Sequence, residues 1–350
     1  MNFQSLLESQ GPVTASVPCR IDFGGTLDLS TFYLPLAHLS PAGFNLALDM
    51  RTRVSLTPYA RRRVKVVSRG FEPAEFDQGQ APFDHPMGLI FACAQYFDAG
   101  GICISIESSS PPRSALGGSS SASVAVLAAF FQALGRDIDA EQLAWLSHYI
   151  ESSVAGVVCG VQDQAAAAFG GANLWQWKLN RTGPAFERIP AFGTPEELEP
   201  VNDHILVAYC GIPHVSKNIN KQWVDSFIKG ETRQNFMSIA EITKKFFHAF
   251  QGGDYSLAAD LMNQETQIRL EITPEVLDNT GKKLFESARQ FHCGARFTGA
   301  GGGGCLWAVG EAENLVPLKE LWKKLLAPVQ NAQILDTRID PVGIRIHPPL

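Results

Sequence analysis

The chain has 350 residues, room for two domains of roughly 150 residues each, and is 45% hydrophobic and 18% charged. That balance is globular and excludes a disordered chain, which needs high charge and few aromatics. A net charge of -6 with no basic stripe argues against a nucleic-acid binder, whose footprint is broad and cationic.

In chain order, residues 17–23, 45–57 and 63–68 are short apolar or β-branched runs bounded by Gly, Pro and Ser, and predict strands. The cationic cluster Arg61-Arg62-Arg63 with Lys65 interleaves with Val64, Val66 and Val67 and reads as the outer face of the third. Residues 102–107 alternate with period two, as a half-buried strand should. A turn with Pro111 and Pro112 follows, then a Gly/Ser-rich loop and an Ala- and Leu-rich stretch that predicts a buried helix over 121–134. A second helix is expected over 140–153. Pro, Glu and Gly dominate 180–203, which marks a domain boundary and predicts domains 1–190 and 200–350. After a strand at 205–209, apolar residues three or four apart predict helices over 234–250, 255–270 and 274–291. A glycine-rich turn at 299–304 precedes a strand at 305–309, a helix over 315–326 and a strand over 332–346.

The seven cysteines are odd in number, spread over the whole length and without Cys-x-x-Cys spacing, which predicts reduced thiols rather than a zinc site or disulfide framework. Residues 1–10 lack the basic start and apolar core of a signal peptide. No apolar run approaches the ~20 residues that span a bilayer. A cytoplasmic protein, without membrane or nucleic-acid partners, is the expectation.

The strongest chemistry lies in Pro111-Pro112-Arg113-Ser114-Ala115-Leu116-Gly117-Gly118-Ser119-Ser120-Ser121. Glycines let backbone N–H groups approach an anion closely, and serines offer hydroxyls to phosphate oxygens or a cation. The following helix aims its positive end at the same place. The segment is neither a Walker A loop nor a dinucleotide fingerprint. Taken alone, it could also be a flexible Gly/Ser turn.

This segment resembles the central motif of the GHMP kinases, Pro-x-x-x-Gly-Leu-Gly-Ser-Ser, with Ala115 where glycine is usual and Gly118 where many members have serine. Near the N-terminus, Arg20-Ile21-Asp22-Phe23-Gly24-Gly25-Thr26-Leu27-Asp28 is similar to the first motif of the heptose-phosphate kinase and fucokinase branch, one residue shorter between Arg20 and Asp28. Thr298-Gly299-Ala300-Gly301-Gly302-Gly303-Gly304 matches the third motif. Glu151, Ala155-Gly156, Gly160 and Asp163-Gln164 resemble the galactokinase stretch of the same spacing, although the Glu-His pair typical of galactokinases is missing. Bare, Glu151 and Asp163 could cap helices or face solvent, but Asp163 stands alone as a charge between residues 152 and 177.

The resemblance implies a two-domain α+β GHMP fold: an N-terminal mixed α/β domain carrying the phosphate loop and a C-terminal ferredoxin-like α+β domain. It implies an ATP-dependent kinase in which Leu116, Gly117, Gly118, Ser119, Ser120 and Ser121 cradle the phosphates. Glu151 and a loop serine, Ser119 before Ser120, would hold Mg²⁺. Asp163 would orient the acceptor hydroxyl, and Arg20 would supply positive charge beside it. Gly25, Asp28, Gly301 and Gly302 would meet the substrate. The expected acceptor is a sugar or sugar phosphate (heptose 7-phosphate, fucose or a related aldose), and the expected assembly a monomer or homodimer. A mevalonate-type kinase and a catalytically silent ATP- and sugar-binding sensor are the alternatives. The segment His214-Val215-Ser216-Lys217 falls where related sugar kinases have a substrate-side loop, and Lys217 reads first as a solvated lysine.

Overall fold

The computed structural model describes residues 3–154, 156, 158–213 and 219–348; the loop with His214 and Lys217 lies outside them. The first half runs α1 (Phe3–Gln10), β1 (Val13–Phe23), α2 (Ser30–Tyr33), β2 (Ala42–Pro58), β3 (Arg63–Ser68), β4 (Ala74–Asp77), α3 (Gly88–Tyr96) and β5 (Ile102–Ser108). The Gly/Ser segment feeds α4 (Gly118–Ala133), followed by α5 (Ala140–Val154), α6 (Gln162–Phe169) and the hairpin β6 (Ala172–Asn180) and β7 (Gly183–Pro190). Then come α7 (Pro195–Leu198), β8 (Ile205–Tyr209), α8 (Ile219–Lys229), α9 (Arg233–Gln251), α10 (Tyr255–Ile272), α11 (Asn279–Gln290), β9 (Gly294–Phe297), β10 (Cys305–Val309), α12 (Ala312–Leu326), β11 (Gln333–Leu335) and β12 (Arg345–His347).

The larger sheet has the order β12-β1-β2-β5-β3-β4, with β6 and then β7 continuing from the other end of β2. The β3–β5 pair is parallel. The smaller sheet has the order β11-β8-β10-β9, every pair antiparallel. Helices separate β8 from β9 and β10 from β11, which makes this the expected ferredoxin-like layer.

β1 is buried along its whole length because both faces are covered. Period-two alternation turns Cys19, Ile21 and Phe23 into an apolar core shared with the smaller sheet, where Phe23 stacks on Phe246 at 4.0 Å. Trp307, Phe44 and Phe250 complete that core, and each such side chain contributes about 1.5–3 kcal/mol by leaving water. The same alternation points Arg20 and Asp22 the other way. Pro18 has no N–H for the ladder, and the β1–β2 register shifts between Pro18 and Cys19.

Within the Pro-, Glu- and Gly-rich stretch, Gly183–Pro190 forms the second arm of a hairpin, paired from Asn173↔Pro190 to Asn180↔Gly183. Two expectations are corrected. The helix expected over 274–291 is interrupted, because Asp278 caps a new helix by accepting the Gly281 N–H at 2.7 Å. The strand expected over 332–346 is two strands in different sheets. Between them the tail crosses the first half: Arg51 pairs with Asp340, Asp340 O accepts the Gly171 N–H at 2.7 Å, and Ile344 N–H donates to Ala168 O at 3.1 Å. β12 then pairs with β1 from Thr14 to Ser16, so the last strand belongs with the sheet of the first half. No helix among the described residues is long and apolar enough to cross a membrane.

Candidate active site

The phosphate loop enters α4 through left-handed backbone at Arg113 (φ 55), Ala115 (φ 61) and Gly117 (φ 76). Gly117 is the N-cap and offers no side chain to the helix end. Among the described residues nothing accepts from the N–H groups of Gly118, Ser119 or Ser120, which leaves an anion site at the positive end of a buried helix. A Cβ at Gly118 would meet nothing within 4 Å, so the space before it is open. The third-motif turn clamps the loop from behind, with Cys305 N–H donating to Ser114 O at 2.9 Å.

Arg20 sits under this loop, 4% exposed. Its Nε and Nη2 donate to Asp163 Oδ1 and Oδ2 at 2.8 and 2.9 Å, and Nη1 donates to Ala115 O at 2.6 Å. Burial works against its charge, but Asp163 and Asp22 more than offset this and raise its pKa. Asp163 lies in the first turn of α6 and keeps 25% of its side chain exposed, to the cavity.

Across the cavity Glu151, from α5, accepts from Ser120 Oγ at 2.8 Å and Gln164 Nε2 at 2.7 Å, and Ser119 also hydrogen-bonds it. Burial raises the Glu151 pKa, the serines and Gln164 pull it down, and nearby Asp163 pushes it up. The Oε1 of Gln164 is buried without a partner among the described residues. These hard oxygens beside a phosphate cradle fit a small divalent cation such as Mg²⁺, which takes few carboxylates and completes its shell with waters and phosphate oxygens.

Asp28 also lines the cavity, where it accepts the Gln162 N–H at 3.1 Å. Burial raises its pKa from 3.8 to about 7, against the Gln162 bond and with help from Asp163. Asn220 Oδ1, on the same wall, is buried and unpartnered among the described residues.

All these groups line one cavity of about 520 Å³. It brings together Arg20, Asp28, Gly117, Gly118, Ser119, Ser120, Glu151 and Asp163. Leu116 and Ser121 stay behind the loop: Leu116 is buried and its carbonyl takes the Arg20 N–H at 3.0 Å, while Ser121 Oγ turns back to Pro18 O and Gly117 O. Gly25 is packed on Asp22 rather than on the cavity wall. Gly301 and Gly302 bear on Val276 O, and their neighbours Gly299 and Ala300 face the cavity instead. The far end, lined by Thr52, Leu89, Ile90, Ile106, Ser108 and Ser110, has no counterpart in the sequence reading. Its residues come from three elements, and no local motif announces them.

Residues 87–171, from just before α3 to just after α6, match the family model for the GHMP kinases N terminal domain. A mevalonate kinase from Thermococcus gammatolerans is 30% identical over 262 residues, covering 71% of this chain and 69% of that protein. The chain belongs to the GHMP kinase family. It is therefore an ATP-dependent small-molecule kinase. A galactokinase from Thermococcus kodakarensis is 25% identical over 311 residues, 77% of this chain and 84% of that one. The crystal structure of Lactococcus lactis galactokinase complexed with galactose superposes with a TM-score of 0.74 at 18% identity, covering 98% of this chain and 97% of that one, which shows that this GHMP kinase shares its fold.

Proposed function

We propose that this kinase transfers the γ-phosphoryl group of Mg-ATP to a hydroxyl of a sugar or sugar phosphate. The observation that carries the reading is a set of acceptors lining one cavity: the half-buried Asp28 carboxyl, the Asn220 Oδ1 without a partner among the described residues, and Asp163. Such a wall accepts hydrogen bonds from several hydroxyls. Among the described residues the cations lining the cavity are Arg20, already engaged by Asp163, and Arg69 and Arg113. An acceptor with its own carboxylate would add a negative charge near Asp28, Asp163 and Glu151.

In this reading the amides of Gly118, Ser119 and Ser120 hold the phosphates, and the far end takes the base. Glu151 with Ser119 or Ser120 would hold Mg²⁺, which when bound offsets the charge of the triphosphate. Arg20 fixes both oxygens of Asp163 and leaves each a lone pair with which to orient the acceptor hydroxyl toward the phosphate loop. Orientation of this kind is the main contribution a protein makes to phosphoryl transfer. We read residues 1–190 and 200–350 as the two working halves, with β12 attached to the first.

Mevalonate is the second reading, favoured by the 30% identity to a mevalonate kinase. ADP release with Mg-ATP against galactose, fucose, heptose 7-phosphate and mevalonate separates them. Turnover on a sugar supports the proposal, and turnover confined to mevalonate overturns it.

A further inference from the structure

α10 carries Glu265 and Arg269 four residues apart, a spacing that on a surface helix is an ordinary ion pair worth little. Here both are fully buried. Glu265 binds two guanidinium groups: Arg269 Nε at 2.9 Å and Arg296 Nε at 2.8 Å. Arg296 Nη1 reaches Asp22 Oδ2 at 3.1 Å, and Asp22 lies 3.6 Å from Arg20, which holds Asp163. The charges alternate in sign along Asp163, Arg20, Asp22, Arg296, Glu265 and Arg269, so none is left uncompensated.

The far end of this line is the first-motif turn. Arg269 Nη2 donates to Gly25 O at 2.6 Å and Nη1 to Thr26 Oγ1 at 3.2 Å. Thr26 is β-branched and has φ 72, a left-handed conformation that such residues adopt at a cost of order 1–3 kcal/mol unless their surroundings impose it. Two residues on, Asp28 faces the cavity, and the turn is closed by Leu29 N–H on Thr26 O at 3.0 Å. The guanidinium plane of Arg269 lies 4.5 Å from the Trp223 ring and 5.2 Å from that of Phe236, which fixes its orientation. An apolar side chain could fill the same space without burying charge. What it could not do is hold a carbonyl and a hydroxyl of the neighbouring turn at once.

We propose that Arg269 is a positioning residue for the acceptor: it locks the strained Gly25–Thr26 turn and so presents Asp28 at the cavity wall. The inference rests on the reading that Asp28 meets the acceptor. Arg269 itself touches neither substrate; it acts through the turn. Lysine in its place keeps the charge but cannot serve Glu265, Gly25 and Thr26 together.

The test uses Arg269→Lys, Thr26→Val and Asp28→Asn in the full-length chain, with two readouts. Amide exchange of Leu29 should quicken at least about tenfold in Arg269→Lys and Thr26→Val, while the amides of α10 keep their protection. The KM for whichever of galactose, fucose, heptose 7-phosphate or mevalonate is turned over should rise about tenfold in both, with the KM for ATP unchanged. Unchanged Leu29 exchange, or equal quickening in α10, overturns the proposal, because a merely structural arginine would loosen its own helix. If Arg269→Lys fails to fold, Thr26→Val decides on the same readouts, since it removes the contact from the loop side and leaves the charges intact. An acceptor KM unmoved by Asp28→Asn removes the Asp28 reading. Leu29 exchange then still decides whether Arg269 holds the turn.

Discussion

One edge of the Arg20 guanidinium meets both oxygens of Asp163, at 2.8 and 2.9 Å, while its remaining nitrogen reaches the carbonyl of Ala115 in the phosphate loop at 2.6 Å. A single side chain thus sets the distance between Asp163, which we propose orients the acceptor, and the loop that we propose holds the donor. Arg20→Lys keeps the charge and loses the fork. We expect kcat to fall about 10²-fold or more, the effect of a misplacement near 1 Å. Asp163→Ala should abolish turnover while a fluorescent ATP analogue still binds. Turnover at the wild-type rate in Asp163→Ala would sink the catalytic assignment.

Glu151 is tied to Ser120 at 2.8 Å beside the open end of α4. Glu151→Gln keeps the shape of the side chain and removes its charge. The Mg²⁺ concentration giving half-maximal rate should rise about tenfold or more, the equivalent of ~1.4 kcal/mol at the cation. An unshifted Mg²⁺ titration would place the ion elsewhere.

Asp28 makes stability depend on pH. Its folded-state pKa is raised from 3.8 to about 7 by burial, so the native chain binds this proton more tightly than the unfolded one. The stabilisation from that proton is complete below pH ~3.8 and is lost as pH rises through about 7. Asp28→Asn should therefore stabilise the protein by a few kcal/mol, about 2–4, at pH 8 and by less at pH 5. Thermal melts at the two pH values check this; an equal gain at both would show that the carboxyl is not perturbed.

Two glycines of the site should respond in opposite ways. A Cβ on Gly304, at φ +85, would stand 2.7 Å from Ser114 O and 2.8 Å from Ala115 Cβ. Gly304→Ala should push the phosphate loop off its support and cost about 2–4 kcal/mol in urea unfolding. Gly118→Ala meets nothing within 4 Å and should leave the fold equally stable or better by up to about 1 kcal/mol. Its methyl group would stand instead where the phosphates bind, so its cost should appear in the KM for ATP.

Much of this site is legible in the sequence because phosphate chemistry needs contiguous residues. The loop from Gly117 to Ser120 and the isolated carboxylate of Asp163 announce themselves within a few positions. β3 and β5 are legible for a similar reason, since alternation is local. The acceptor turn and the far end of the cavity are harder to read. Asn220 and Gln162 are polar residues with no neighbouring pattern, and Thr52, Ile106 and Leu89 meet only through the sheet and α3. The four glycines from Gly301 to Gly304 look alike in sequence. In space two of them bear on Val276 and Gly304 bears on Ser114. Glu265 and Arg269 are hidden in another way, since their spacing is that of any solvated helix pair and nothing local records their burial.

The return of the tail across the first half has a consequence for how the enzyme is made. β1, which carries Arg20, is made well before Arg345–His347, yet the edge of that strand at Thr14–Ser16 is covered by them. The same tail braces the end of α6, which carries Asp163, through Ile344 on Ala168. The Arg20–Asp163 pair, to which we assign the chemistry, is therefore finished by contacts between segments far apart in the chain. A nascent chain can collapse early, but it acquires this geometry only once Arg345–His347 have been made, and such long-range closure slows folding.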